Sequence, residues 1–110
     1  MTNVIEVSDC RGYKVICTEK IWYGKILVSR PWMNGWVRIV SEAIQTPSFI
    51  CGDKEHKDRH AYYMLRVDKK NRYVKVIVKF NARNEGFVIS AYPTDSGKSG
   101  ESLIWTPSKG

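Results

Sequence analysis

Residues 72–80 read RYVKVIVKF. Val74, Val76, Val78 and Phe80 fall on alternate positions, with Tyr73, Lys75, Ile77 and Lys79 between them. A period of two is a β-strand with one apolar face and one basic, aromatic face. Residues 81–86 make a short loop. Residues 87–95 (FVISAYPTD) make a second strand that ends in the polar cluster Tyr92, Thr94 and Asp95. Upstream, residues 59–67 (RHAYYMLRV) read as a strand joined to the first by a hairpin turn at residues 68–71 (DKKN). Residues 13–18, 48–51 and 101–105 are further short strands, and residues 52–58 and 96–100 are polar loops.

The N-terminal half carries a different period. Trp22 and Ile26 stand four apart in residues 19–28, which suits one face of a helix. Thr18 is placed to cap that helix, and Pro31 stops it by pushing Arg30 out of the helical region. Residues 36–45 put Val37, Val40 and Ile44 on one stripe before Thr46-Pro47 ends the run. The order β-α-α-β-β-β-β-β predicts an α+β domain. Its expected layout is two N-terminal helices packed on an antiparallel four- to five-stranded meander sheet. A single domain is expected over residues 1–110, with its core at about 13–105.

Composition narrows the class. The chain is 43% hydrophobic and 26% charged, which predicts a packed globule rather than a disordered chain. No apolar run reaches about 18 residues and the N-terminus carries no signal pattern, so the expectation is a cytoplasmic protein with no membrane contact. The net charge is +7, and its distribution is uneven. Residues 1–55 hold seven basic and six acidic residues, whereas residues 56–110 hold eleven and five. A basic excess on the sheet half favours a polyanion by steering and counterion release. Cys10, Cys17 and Cys51 are odd in number and lack a C-x-x-C spacing, which predicts no zinc site, and the apolar stretches around Cys17 and Cys51 predict buried thiols.

Several chemistries are excluded by pattern. Gly97-Lys98-Ser99 lacks the first glycine of a phosphate loop, because Tyr92 stands there, and no helix follows; no nucleotide cofactor is expected. No G-x-S-x-G or Rossmann glycine pattern occurs. His56 and His60 stand four apart, but on a loop running into a strand they lie about 13 Å apart and suit proton transfer better than a metal. Lys54, His56, Lys57 and Arg59 gather beside a tyrosine-rich strand. Basic groups contact phosphates and tyrosines stack on unpaired bases, so Lys54, Arg59, Tyr62 and Lys75 are candidate RNA-binding residues, and Asp95 joins them from the polar end of its strand. Tyr62 and Tyr63 must face opposite sides of the sheet, so at most one of them binds. Of the four tryptophans, Trp32 is the one expected to be exposed.

These residues form a longer pattern. Trp22, Ile26, Pro31 and Met33 precede an amphipathic helix ending in a proline. Lys54, His56, Arg59, Tyr62 and Tyr63 follow, then Gly86-Phe87, residues 91–95 (AYPTD), Gly100-Glu101 and Trp105. The pattern resembles the phage and bacterial domains of the barnase–EndoU–colicin–RelE ribonuclease fold, over residues 13–105. The resemblance implies a toxin-type endoribonuclease that needs no metal or other cofactor, with RNA as substrate and an antitoxin or immunity protein as partner. Two histidines of the pattern are Lys25 and Arg30 here. Neither is a ready proton shuttle near neutral pH, with ordinary pKa values of about 10.4 and above 12. Under this resemblance Lys25 and Arg30 bind the phosphorane, His56 acts as acid or base, and Tyr92 and Thr94 position the phosphate or the 2′-hydroxyl. The alternative is an inactive RNA- or protein-binding module on the same fold.

Overall fold

The computed structural model describes residues 2–65, 72–95 and 100–107. Seven strands form one sheet: β1 (Asn3–Ser8), β2 (Lys14–Thr18), β3 (Phe49–Gly52), β4 (Arg59–Met64), β5 (Tyr73–Phe80), β6 (Gly86–Thr94) and β7 (Ser102–Trp105). Their spatial order is β1-β2-β6-β5-β4-β3-β7. All neighbours are antiparallel except β2 and β6, which run parallel where Val15 and Ile16 face Gly86 and Phe87.

The expected α+β layout of two N-terminal helices on a four- to five-stranded antiparallel meander is therefore overturned. The protein is mostly β, and its sheet is wider and mixed. Two local causes explain the miss. Residues 3–8 alternate too briefly to stand out, yet they pair with β2 in a hairpin and lie outside the expected core span. The parallel β2–β6 contact joins segments remote in sequence, which no local pattern can announce. The expected hairpin turn at residues 68–71 and the loop residues 96–99 lie outside the described residues.

The first expected helix forms as three short pieces. These are α1 (Glu19–Ile21), a π-helical turn (Trp22–Ile26) and α2 (Leu27–Ser29), followed by a 3-10 turn (Pro31–Gly35) and the regular helix α3 (Val37–Gln45). Thr18 caps α1, its hydroxyl accepting the Ile21 N–H at 3.3 Å. The wider π turn keeps Trp22 and Ile26 both buried while Lys25 stays exposed. Such turns are enriched at functional sites.

The main core lies between one sheet face and α3, which packs on β1, β4 and β5. Val74, Val76, Val78 and Phe80 of β5 point into it, as alternation predicts, together with Trp22, Met33, Val40 and Ile44. The other face of the sheet carries a smaller cluster of Cys51, Ala61 and Tyr63 under Phe49 and Tyr73.

Candidate active site

On the face away from α3, side chains fall in rows across the strands. Tyr63, Lys75 and Tyr92 stand opposite one another on β4, β5 and β6. Two positions along lie Cys51, Ala61, Ile77 and Ser90. Two further on lie Arg59 and Lys79. The middle row is short-chained at Ala61 and Ser90, so the flanking rows enclose a cleft of about 240 Å³.

A bulge widens this floor. The β5–β6 register slips between Ile77 and Val78, so that Ile77 faces Ser90 while Val78 faces Val88. Val88 and Ala91 both enter the core, and the two residues between them, Ile89 and Ser90, both line the cleft. A regular strand would have sent one of the two into the core.

Three outlying segments close the walls. Lys25 reaches the cleft from the π turn, which packs beside β6. Asp53, Glu55 and His56 come from the loop before β4. There Asp53 Oδ1 accepts the backbone N–H groups of Glu55 at 2.8 Å and His56 at 3.0 Å, which holds the loop in a tight turn. Glu101 enters just ahead of β7.

The cleft thus unites Lys25, His56, Arg59, Lys75 and Tyr92 among the residues singled out from sequence. Arg30 joins at the edge, its guanidinium 4.9 Å above the Tyr92 ring. With the Lys75 ammonium 5.9 Å from that ring, Tyr92 is flanked by two cations. The Arg59 Nε is buried and has no hydrogen-bond partner. A desolvated guanidinium N–H without an acceptor is costly, and an anion in the cleft would relieve it.

Other candidates stand elsewhere. Thr94 and Asp95 lie at the far end of β6 and do not line the cleft. Lys54 is exposed at the loop, its stem pressed against Gly100. Two assignments need correction. Tyr62 cannot stack on a base, because it is fully buried on the opposite face, where its hydroxyl donates to Asp9 Oδ2 at 2.6 Å. Lys75 lines the cleft but is no free phosphate contact. Its side chain is 5% exposed and pairs with Glu101 at 3.0 Å.

Glu101 is a cleft residue to which local reading gave no role. Its carboxylate, 6% exposed, also accepts the Tyr63 hydroxyl at 2.5 Å. Burial works against the Lys75 ammonium, but its bonds to Tyr63 and Glu101 outweigh burial and hold its pKa above the ordinary lysine range. Burial and the bond to Glu101 push the Tyr63 hydroxyl up to about 12. Its place after the loop in Gly100-Glu101 was visible, but its partnership with Lys75 needed the fold.

The opposite face holds a second polar network. Asp9, buried in the β1–β2 turn, receives Arg11 at 2.9 and 3.0 Å and the Tyr62 hydroxyl. Burial raises the Asp9 carboxyl, but hydrogen bonds from Tyr62, Tyr13 and Arg11 outweigh it and leave the carboxyl below its ordinary value. Arg11 Nη2 lies 3.1 Å from His60 Nδ1, so this nitrogen accepts and the imidazole is neutral. Burial, then the Arg11 charge, lowers the His60 pKa. The His60 ring therefore packs against Phe80 and Arg11 on the core face, although the residue also borders the cleft lined by His56. Among the described residues no cluster of three or more histidine, cysteine or acidic side chains is arranged to hold a metal ion. The Cys17 thiol, deep in the core, is pushed up to about 12 by burial and is no nucleophile. No described helix is long and apolar enough to cross a membrane.

Comparison with known proteins finds no matching family model, no matching curated protein and no matching solved structure.

Proposed function

We propose that this cleft cleaves RNA without a metal ion, by attack of a 2′-hydroxyl on the adjacent phosphate. The observation that carries the proposal is the convergence of Lys25, His56, Arg59 and Tyr92 on one concave surface from three separate segments of the chain. The 2′-oxygen loses its proton and bonds to phosphorus. The bond to the 5′-oxygen breaks and that oxygen takes a proton, leaving a 2′,3′-cyclic phosphate and a 5′-hydroxyl. Negative charge grows on the phosphorane oxygens. Lys25 and the unpartnered Arg59 Nε are the groups that meet it. His56 moves the proton, because histidine alone exchanges one readily near neutral pH. Arg30 acts through Tyr92, holding the ring in place.

One observation favours a second reading, a module that binds RNA or a protein without cutting. Glu101, the buried carboxylate of the cleft, is committed to Lys75 and Tyr63, so it is not available as a second proton-transfer group beside His56. Incubating the purified chain with RNA and EDTA separates the two. The ribonuclease reading expects fragments ending in cyclic phosphate. It also expects His56→Ala to slow cutting by about 10²–10⁴-fold. Salt-sensitive RNA affinity with no fragments at all would establish the binding reading instead.

A further inference from the structure

The bulge at Ile89 and Ser90 has no structural work to do in the core. Val88 pairs with Val78 and Ala91 with Val76, and both pairs are buried, so the strand fills the core on either side of it. What the extra residue changes is the floor of the cleft. Without it, one of Ile89 and Ser90 would turn inward and the floor would lose half its width on β6. Bulges that re-aim a side chain are enriched beside active sites.

The floor that results is chemically specific. Ala61, Ile77 and Ile89 give an apolar floor, and Ser90 sets one hydroxyl at its β6 side. The charged groups are confined to the walls: Arg59 on one side, Lys75 with Glu101 on the other, and Lys25 at the β6 edge. Of the charged residues lining the cleft, Lys25, Arg59 and Lys75 are balanced by Asp53, Glu55 and Glu101. Such a balanced, apolar-floored site does not attract a polyanion along its length. It suits one flat, neutral group whose attached phosphate meets a cation at the rim.

We infer that the bulged floor is the seat of a single unpaired nucleobase of RNA, lying on Ala61, Ile77 and Ile89, with the Ser90 hydroxyl reading its edge. The inference rests on the ribonuclease reading above and adds the substrate class: single-stranded RNA, with a base preference set at Ser90. A paired base shows the cleft only its backbone and cannot lie flat on the floor of a cleft of about 240 Å³. The hydroxyl can donate and accept, so it discriminates between edges without rejecting any base outright.

The test uses the whole chain and short oligoribonucleotides carrying each of the four bases in turn at one position, alongside a fully paired duplex of the same sequence. The unaltered chain is expected to cut the single strands with a preference of about 5–10-fold for one base, and to leave the duplex intact. Ser90→Ala is expected to flatten that preference to about 2-fold. Ala61→Leu, which fills the floor, is expected to raise KM by about 10-fold or more with a smaller change in kcat, in a variant whose unfolding midpoint confirms that it folds. Ala61→Ser, which keeps the space, is expected to retain the parent KM within about 3-fold. Equal cutting of duplex and single strand, or a base preference untouched by Ser90→Ala together with an unchanged KM in Ala61→Leu, overturns the seat and leaves the ribonuclease reading standing. An unaltered chain that neither cuts nor binds any of these RNAs overturns both.

Discussion

Changing Glu101 to Gln keeps the shape of the side chain and removes its charge. The Lys75 ammonium would then stay in a site where it is 5% exposed, without its counter-ion at 3.0 Å. Tyr63 would keep a neutral acceptor in place of a carboxylate. Both partners are almost fully shielded from solvent, so screening does little to soften the loss. Removing one member of such a pair typically costs about 3–5 kcal/mol, because it strands the other charge. For a domain of this size each kcal/mol moves the thermal midpoint by roughly 4–8 °C, so a drop of at least about 12 °C is expected. Lys75→Met should cost a similar amount by stranding Glu101. The double variant Lys75→Met with Glu101→Leu strands neither, and should return to within about 2 kcal/mol of the parent. Urea denaturation of the four proteins, followed by circular dichroism, closes the cycle. If each single variant costs less than about 1 kcal/mol and the two effects simply add, the pair is not the buried, coupled unit described above.

Acid should weaken the fold in two stages. His60 and Asp9 both have pKa values below their ordinary 6.5 and 3.8 in the folded chain. The unfolded chain therefore binds more protons, and stability falls as pH falls. The His60 part is lost progressively below about pH 6.5 and the Asp9 part below about pH 4. Urea midpoints at pH 8, 6, 5, 4 and 3 read this, and a midpoint that rises on acidification contradicts it. At Gly86 an added Cβ would sit 2.7 Å from Val78 Cγ1 and 3.1 Å from Val15 Cγ2. Gly86→Ala should therefore destabilise by about 1–3 kcal/mol, whereas a neutral result in thermal melts would mean that the β2–β6 junction yields easily. If RNA binds at the cleft rim, Lys25→Ala and Arg59→Ala should each lower the slope of log affinity against log salt by about 1. Fluorescence anisotropy at several salt concentrations measures that slope, and an unchanged slope places the phosphate elsewhere.

What could be read before the fold was known depended on how local each signal was. The β5 alternation was legible because every second residue reports burial directly, and Val74, Val76 and Val78 are indeed fully buried. The Thr18 cap was legible for the same reason, since donor and acceptor are three residues apart. Tyr62 and Tyr63 were rightly sent to opposite faces. Which of them lies on the cleft side depended on register, and register puts Tyr62 beside Val76 in the core and Tyr63, also fully buried, beside Lys75 on the opposite face. The bulge left one trace, the spacing of Val88 and Ala91, which breaks the alternation kept by β5. Glu101 and Lys75 meet only because β7 lies on β3, two strands away from β5, so no window along the chain contains their pairing. Lys25, His56, Arg59 and Tyr92 were joined into one site by the resemblance and not by any local pattern, and their common cleft is seen only in the folded sheet.

The parallel contact between β2 and β6 carries a consequence for the order of folding. Every other pairing in the sheet joins antiparallel strands, and β4 to β5 to β6 is a run of consecutive strands. The β1–β2 hairpin is likewise local. Within the sheet the two blocks pair at Val15–Gly86 and Ile16–Phe87, and forming that seam closes most of the chain into one loop. The two blocks are thus expected to form first, with the seam as the slow, entropically costly step. In native-state hydrogen exchange the same seam should open before the centre of either block, letting the β1–β2 hairpin swing away as a unit while the β4–β6 platform holds its shape.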